Sequence, residues 1–350
     1  MPTTYAIPDG RTVMAATTYT GNNPSTQSVS NAVNGVSFQP DFVWIKSRSA
    51  AYYNTLYDSV RGSGATKSIY SNTSDTEGTF STLTNLSSFN SNGFTVGTTS
   101  SSPNTLNESG VTFVGWQWKA GGTSASNTNG SITSTVSVGA TQGFSVVTYT
   151  HNGTNAATVG HGLGVTPSFI INKQRSAASN WRCYHVSLPA GYNIQLNLTQ
   201  AQSVAGDIFQ TAPTSSVFTP GNGDSASGQT MVAYCFAAVA GYSAFGSYVG
   251  NGSTDGPFIY TGFKPRFVLV KSSTAAQSWQ MYDSTRNPSN EVNCTLFANG
   301  TNAESTSNGN FDFLSNGFKL RNGDFAINKS GESYIYMAFA SNPTKYANAF

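Results

Sequence analysis

The sequence predicts an all-β protein built from three tandem antiparallel β-sandwich domains of jelly-roll or lectin-like type, the middle one degenerate. One motif occurs three times along the 350 residues. Short runs of β-branched and aromatic residues, which favour strands, recur with it. No stretch shows the capped 3.6-residue apolar period of an amphipathic helix. A copy of roughly 100 residues has the usual size of a β-sandwich.

The recurring motif runs from a proline to a lysine six residues later. Each lysine precedes a pair of alanines by four residues, and aromatic residues follow the alanines. The motif spans Pro40–Lys46, Pro167–Lys173 and Pro265–Lys271, and the aromatic residues are Tyr52, Tyr53, Trp181 and Trp279. So many matching offsets indicate three copies of one unit, which excludes most single-domain enzyme folds.

Each copy ends with a strand that is apolar on both faces. These closing strands are Val111–Trp118, Met231–Ala237 and Tyr334–Ala340. Such a pattern is typical of a central strand buried on both sides of a two-layer sandwich. Copy 2 departs from the pattern, because it has Tyr184–His185 where the other copies have Tyr-Asp, and it lacks their Ser-Asn-Gly-Phe turn.

The domain boundaries follow from the motif and from composition. Glycine, serine and threonine dominate the segment before the second copy, which is typical of a flexible linker. We expect an N-terminal arm at 1–14, copy 1 at 15–122, a flexible linker at 123–142, copy 2 at 143–243, and copy 3 with a short C-terminal tail at 244–350. We expect one or both termini, the arm above all, to dock onto a neighbouring subunit.

Composition narrows the functional class. Only 9% of residues are charged, against about 25% in an average soluble domain. A formal net charge of +2 without any basic run excludes a nucleic-acid binder of the electrostatic kind. The first residues have no apolar leader region, and the longest apolar run is too short to cross a bilayer. Such a composition without an export signal predicts a particle that assembles in a cytoplasm and is released by lysis.

The charged residues of the motif have a structural interpretation that we favour over a chemical one. The motif lysines are expected to cover a strand edge with their stems and to place their heads in solvent. Asp58 with Arg61, and Asp283 with Arg286, are expected to brace a loop, because a catalytic pair would not be duplicated.

No metal, cofactor or catalytic site is predicted. Histidines occur only in copy 2, without a third ligand at suitable spacing. The Asp75–Glu77 pair is expected to be solvated, and Asp224 lacks the later ligands of a calcium loop. Cysteines are odd in number, show no zinc spacing, and predict no disulfide framework, with Cys235 a buried thiol. The histidines are His151, His161 and His185, and the other cysteines are Cys183 and Cys294.

Aromatic residues after the lysine strand are the best candidates for ligand contact. Tyr52, Tyr53, Trp181 and Trp279 are predicted to lie in loops, where exposed rings could stack on sugars. The alternative, that they cap the sandwich core, is at least as well supported.

The repeat resembles a domain of uncharacterised function in virion structural proteins of tailed bacteriophages, especially marine and cyanobacterial ones. The residues that carry the resemblance are Phe38–Lys46, Tyr57–Ser59, Ser91–Phe94 and Phe113–Trp118. The resemblance implies a virion structural protein and transfers no catalytic residues.

These observations together predict a non-enzymatic protein of the virion surface, either a capsid decoration or a tail-fibre component, that acts in assembly and host adhesion. Its expected partners are other virion proteins and host surface glycan. A homo-oligomer is expected, a trimer before other states, with neither nucleic-acid binding nor membrane insertion. The alternatives are a receptor-binding fibre module that recognises host glycan and a polysaccharide depolymerase, which would typically be longer and carry a carboxylate cluster.

Overall fold

The computed structural model describes residues 5–204, 207–223, 226–307, 309–323 and 326–341. Within these ranges the protein is all-β, as predicted, with single-turn 3-10 helices at Gly10–Thr12 and Ala65–Lys67. The strands are β1 Met14–Thr20, β2 Gln27–Ser30, β3 Phe42–Ser47, β4 Thr55–Asp58, β5 Ile69–Tyr70, β6 Leu86–Asn90, β7 Gly93–Val96, β8 Thr112–Trp118, β9 Ala125–Asn127, β10 Ser134–Gly139, β11 Phe144–Thr150, β12 Val159–Gly160, β13 Phe169–Gln174, β14 Arg182–His185, β15 Tyr192–Gln195, β16 Ser203–Val204, β17 Val217–Phe218, β18 Thr230–Phe236, β19 Ser243–Val249, β20 Phe258–Tyr260, β21 Pro265–Ser272, β22 Gln280–Asp283, β23 Leu296–Phe297, β24 Phe311–Leu314, β25 Gly317–Leu320 and β26 Ser333–Ala340.

One antiparallel strand order occurs three times. It is β1-β8-β3-β4-β5 in copy 1, β11-β18-β13-β14-β15 within the larger sheet of copy 2, and β19-β26-β21-β22-β23 in copy 3. In each, the closing strand lies between the opening strand and the lysine strand. The register is also shared, since the motif lysines pair with equivalent residues of the closing strands, which are Val114, Val232 and Ile335.

A smaller sheet accompanies each large one. Copies 1 and 3 have three strands in the orders β2-β7-β6 and β20-β25-β24, whereas the residues described in copy 2 form the two-stranded sheet β12-β17. An Asn-Gly turn at Asn92–Gly93 connects β6 to β7, and Asn316–Gly317 connects β24 to β25. The described residues of copy 2 contain neither this turn nor the strand before it, which agrees with its degenerate sequence.

The closing strands are buried on both faces because the large sheets pack on two different surfaces. In copy 1, Val43 and Ile45 pack outward with Phe94 of the small sheet. The opposite face joins a core shared by all three copies. There Phe42 stacks on Tyr234 of copy 2 with ring centroids 4.2 Å apart. Trp118 contacts Phe267 of copy 3 at 5.6 Å, and Phe236 contacts Phe339 at 5.9 Å.

The predicted flexible linker at 123–142 is wrong. This segment contains β9 and β10, which extend the sheet of copy 2 by pairing with each other and with β11. Ser134–Gly139 alternates small polar residues with valine, and Val136 packs into the second core of copy 2. The serine and threonine content concealed a strand, because these residues are also common on the exposed face of a sheet.

The described part of the N-terminal arm packs within the chain. Ile7 and Val13 lie in the shared core. Gly10 approaches copy 3 so closely that an added Cβ would lie 3.2 Å from the carbonyl oxygen of Ala340. Residues 5–13 therefore pack against copy 3, and docking of a terminus onto a neighbouring subunit stays a prediction. Residues 1–4 and the tail 342–350 lie outside the described residues. Across the described ranges, no helix has the length and apolar character needed to cross a membrane.

Candidate functional site: the contacts between the three copies

The motif lysines are buried, and their heads bind backbone carbonyls, so the prediction of solvated heads is wrong. Lys46 Nζ donates to the carbonyl oxygens of Tyr52 and, in copy 3, Thr301, both at 2.8 Å. Lys173 Nζ donates equivalently to Ser179 at 2.9 Å and to Ser74 of copy 1 at 3.1 Å. Each of these two lysines thus joins its own loop to another copy.

Within the described part of the chain, the bonds of Lys271 stay inside its own copy. Its Nζ donates to the carbonyl oxygens of Ser272 and Ala275, both in copy 3. Burial lowers the pKa of Lys46 and of Lys271 to about 7. Glu332 partly offsets the effect at Lys271.

A second repeated donor lies eight residues after each lysine. Trp181 Nε1 donates to the carbonyl oxygen of Tyr70 at 2.8 Å, and Trp279 Nε1 donates to that of Gln195 at 2.9 Å. In copy 1 the equivalent residue is Asn54, whose Nδ2 donates to the carbonyl oxygen of Phe297 at 3.0 Å. The acceptors are equivalent strand ends, so copy 1 binds copy 3, copy 3 binds copy 2, and copy 2 binds copy 1. We call this closed series the contact cycle.

For two of the four residues predicted to contact glycan, the prediction of an exposed ring is wrong. Trp181 and Trp279 are buried, with 0% and 2% of their surfaces exposed. They cannot stack on a sugar without unfolding. Tyr52 and Tyr53 are half-buried. Tyr53 stacks on Phe80 with centroids 4.4 Å apart, and glycan contact by the two tyrosines stays a prediction.

The predicted Asp–Arg braces exist, and they reach across copies. Arg61 Nε donates to Asp58 Oδ2 at 2.5 Å, with both side chains fully buried. The hydroxyl of Tyr234 in copy 2 donates to the same oxygen at 2.8 Å. Copy 3 repeats the arrangement, because Arg286 Nε donates to Asp283 Oδ2, which also accepts from Trp116 Nε1 of copy 1 at 3.0 Å.

A glutamate extends each brace to an arginine of the next copy. Glu77 binds Arg61 at 2.9 Å and Arg175 of copy 2 at 2.7 Å, so it is not the solvated residue that was predicted. Glu304 likewise binds Arg286 at 3.0 Å and Arg48 of copy 1 at 2.8 Å. Burial opposes the charge on Arg61, but the charges of Asp58 and Glu77 raise its pKa above the usual range.

Among the described residues, the interface between copies 2 and 3 has neither the inner nor the outer ion pair. His185 replaces the aspartate, and its Nε2 lies 3.1 Å from the carbonyl oxygen of Tyr336. Leu188 replaces the arginine and is buried in the shared core. Gln202 and Ser273 take the places of the glutamate and the outer arginine. Only the backbone bond between them, from Gln202 N to Ser273 O at 2.9 Å, is retained.

All three histidines are held neutral by similar geometry. In each, Nδ1 accepts from the backbone N–H two residues later, and burial lowers the pKa, to about 4 for His185. His151 and His161 lie elsewhere in copy 2. Across the described ranges, no three His, Cys, Asp or Glu residues cluster as metal ligands would. The thiols of Cys183, Cys235 and Cys294 are free, with Cys235 buried as predicted. Asp224 lies outside the described residues.

Sequence reasoning missed one repeated element of the contact cycle. An Asn-x-Ser/Thr triplet follows the donor in every copy, beginning at Asn72, Asn197 and Asn299. The asparagine Oδ1 accepts from the backbone N–H of the donor residue at 2.8–3.0 Å. The triplets lie 16 to 20 residues after that donor, and this variable spacing concealed the repeat. Their recurrence in all three copies was the available signal.

Comparison with protein families gives one match that covers nearly the whole chain. A family model described as a domain of unknown function, DUF7483, matches residues 10–343. The chain belongs to this family. The match treats as one domain the three copies that share a core. Searches of curated proteins and of solved structures gave no match.

Proposed function

We propose that the protein is a non-enzymatic structural component of the surface of a tailed-phage virion, a capsid decoration or a tail-fibre component that acts in assembly and host adhesion. The observation that carries the proposal is the contact cycle. Ionisable side chains that could serve in catalysis, such as Asp58, Arg61 and Lys46, instead form buried hydrogen bonds and ion pairs within and between copies. Groups held in this way maintain a shape, which is what a particle surface requires.

Two sequence features support the same proposal. Few residues are charged, and small polar residues are abundant, as in other β-proteins that work outside cells. The motif also resembles domains of phage virion proteins. We further propose other virion proteins as partners, with a homo-oligomer as the assembled form.

The test is to locate the protein in purified particles. Quantitative mass spectrometry against the major capsid protein should give a fixed copy number. A decoration protein would occur in a multiple set by capsid symmetry, and a fibre protein would occur as a few trimers per particle. Incubation with host envelope polysaccharide should leave the chain length of the polysaccharide unchanged. Absence from particles, or shortened chains whose formation depends on Asp58 or Asp283, would refute the proposal.

A receptor-binding role is the second candidate, and one surface feature favours it. Phe258 and Tyr260 on β20 are 44% and 68% exposed. Strand pairing makes them equivalent to Ser28 and Ser30 of copy 1, because Ile259 pairs with Phe318 as Val29 pairs with Phe94. Replacing both aromatic residues with serine should reduce adsorption of particles to host cells, whereas alanine at the two serines should not.

A further inference from the structure

Arg266 of copy 3 is a buried cation without a partner. The residue is 7% exposed, and its Nε is buried without a hydrogen-bond acceptor. Among the described residues, its guanidinium forms no salt bridge and no hydrogen bond. Burial lowers the pKa of Arg266, and the charge of Asp283, which is already bound to Arg286, offsets this only in part. A buried charge that is left unpaired is costly, so this guanidinium calls for an anion.

The equivalent position of copy 1 shows a buried charge that is fully paired. Asp41 and Ser168 correspond to Arg266, since each directly precedes the first phenylalanine of a lysine strand. Asp41 Oδ1 accepts from the Ser59 hydroxyl at 2.7 Å, and its Oδ2 accepts from the N–H of Ala120 at 2.7 Å. Copy 1 thus pairs its charge within its own chain, whereas copy 3 has the opposite charge without a counterpart.

A β-bulge places Arg266 outside the regular strand ladder. The register of β21 against β26 shifts between Pro265 and Phe267, so Arg266 is the extra residue. Bulges bend a strand and can re-aim a side chain. Ala340 at the end of β26 pairs with Pro265 and is also approached by Gly10 of the N-terminal arm. Arg266 therefore lies where β21, the end of β26 and the arm meet.

More cations lie at this end of the sheets. Lys264 precedes β21, Lys119 follows β8, and Arg11 precedes β1, whose first residue pairs with the last residue of β8. Arg11 is bound to Asp9 at 2.7 Å. In the described ranges Lys119 and Lys264 form no salt bridge, and Lys119 is exposed. We call the surface formed by Arg11, Lys119, Lys264 and Arg266 the basic end.

The basic end favours a carboxylate as its anion. A guanidinium binds a carboxylate through two parallel hydrogen bonds, which makes one arginine sufficient. Arg61 and Arg286, which are also buried, are each bound to an aspartate. Nucleic acid is disfavoured, because the chain has a formal net charge of only +2 and no basic run.

The carboxylate has to come from outside the described residues. Residues 1–4 and 342–350 contain neither aspartate nor glutamate, so no acidic side chain of these segments can supply it. A partner protein can supply one from an acidic segment, and the neighbouring cations of the basic end would attract the other charges of that segment.

We propose that the basic end docks an acidic segment of a partner protein, and that one carboxylate of this segment pairs with Arg266. The inference names the partner chemistry for the assembly part of the proposed function, and it rests on that function for the partner's identity. Peptide binding is measured on the isolated protein. A negative result would therefore leave the particle localisation test untouched, and absence from particles would leave the peptide result standing.

The first test is an NMR titration of the full-length protein, labelled with ¹⁵N, with acetyl-tetraglutamate amide. Tetraglutamine is the uncharged control peptide, and inorganic phosphate is the second anionic probe. Tetraglutamate should bind and shift the Nε–H resonance of Arg266. Arg266→Gln should weaken its binding about tenfold or more, because a charge-assisted hydrogen bond is lost. Arg321→Gln is the matched control, since Arg321 is bound to Asp312 in the small sheet, and it should leave the affinity unchanged.

The second test separates a docking residue from one that supports the fold. Arg266→Leu removes the unpaired charge and keeps an apolar stem. Without peptide, this variant should unfold at a higher urea concentration than the unchanged protein. Tetraglutamate should raise the unfolding midpoint of the unchanged protein and leave that of Arg266→Leu almost unaltered.

Four outcomes would overturn the proposal. The first is that tetraglutamate does not bind, or binds no better than tetraglutamine. The second is equal binding to Arg266→Gln, which would place the peptide elsewhere. The third is phosphate that binds at Arg266 more tightly than tetraglutamate, which would make this a site for a free anion. The fourth is an Arg266→Leu variant that is less stable or does not fold, which would show that Arg266 already has a stabilising partner within the chain.

Discussion

The interface between copies 1 and 2 and the interface between copies 2 and 3 achieve the same contact with different chemistry. The first buries the Asp58–Arg61 pair, with Glu77 bound to Arg175 across the boundary. The second has His185 and Leu188 at the equivalent positions, with one neutral hydrogen bond from the imidazole. In both, an indole N–H donates to an equivalent carbonyl, that of Tyr70 or Gln195.

Some stabilising features occur at both interfaces, and others occur at only one of them. Apolar packing in the shared core and the donor eight residues after the lysine occur at both interfaces. The ions occur at only one of these two. Buried ion pairs often contribute little net stability compared with apolar residues of similar shape, yet breaking one by removing a single partner is costly. The two interfaces should therefore respond very differently to single substitutions.

The largest effect is expected from Arg61→Leu, which places the copy 2 residue in copy 1. Asp58 would remain buried without its cation, because no solvent reaches either side chain. Leaving one buried charge unpaired costs about 5 kcal/mol at the upper end of the observed range. Urea unfolding of the variant should show this loss in the free energy of unfolding.

The double variant Asp58→His/Arg61→Leu sharpens the comparison, since it places the copy 2 residues at both positions of the buried pair. It should recover more than half of the stability lost in Arg61→Leu. A double variant as unstable as the single one would mean that the ion pair, and not its unpaired half, supports this interface.

The next largest loss of stability is expected from replacing a motif lysine, and two of these lysines should differ. Lys46→Met leaves the carbonyls of Tyr52 and Thr301 without their donor. Two buried unsatisfied acceptors cost about 4 kcal/mol together. Lys271→Met should cost less, because its bonds stay within one copy and one of them is long, at 3.3 Å. Equal losses in the free energy of unfolding of the two variants would show that a hydrogen bond between copies adds no more stability than one within a copy.

Acid should weaken the interface between copies 2 and 3. In the folded protein, His185 Nδ1 accepts from the N–H of Ser187, and its Nε2 faces the Tyr336 carbonyl. A second proton on the imidazole would go to Nδ1 and would face the Ser187 N–H. Burial lowers the pKa of His185 to about 4, from the usual 6.5 of a histidine. The unfolded chain binds a proton first, so stability is present above pH 6.5 and falls as pH drops towards 4.

The groups around His185 are Phe169, Leu269, Trp279, Ile335, Tyr336 and Met337, and the tyrosine is uncharged at acid pH. The loss between pH 7 and 4.5 should be about 2 kcal/mol from this residue. The contribution of His185 is the difference between the pH dependence of unfolding of the unchanged protein and that of His185→Gln. Parallel pH profiles would show that His185 does not titrate in this window.

The smallest effect is a gain. Gln202→Glu with Ser273→Arg would install the outer ion pair that the other interfaces have, at positions already joined by a backbone hydrogen bond. A partly exposed pair of this kind contributes about 0.5 kcal/mol. A double-mutant cycle from thermal unfolding should show a small favourable coupling that salt removes, and an unfavourable coupling would mean that these positions are not equivalent to Glu77 and Arg175.

The sequence predicted the strands and their repetition well, because both depend on local patterns. The offset from proline to lysine marks the same strand in each copy, and each two-sided apolar closing strand does lie inside its sheet, between two other strands. The Asp58–Arg61 brace was also predictable, since its partners are three residues apart.

The arrangement of the copies could not be predicted in the same way. Burial on both faces fits a two-layer sandwich and a core shared among copies equally well, and the pattern of Phe113–Trp118 does not distinguish them. The role of Trp181 depended on which surface covers it, and that surface belongs to copy 1. Glu77 appeared solvated because both of its arginines are distant in sequence, at 61 and 175.

The central claim is that the three copies form one cooperative unit around a shared core. Differential scanning calorimetry of the full-length protein and of Arg61→Leu tests it most directly. We expect one transition in which the calorimetric and van't Hoff enthalpies agree, and which moves as a whole to lower temperature in the variant. Separate transitions, of which only one shifts in Arg61→Leu, would contradict the claim and restore the picture of three independent sandwich domains.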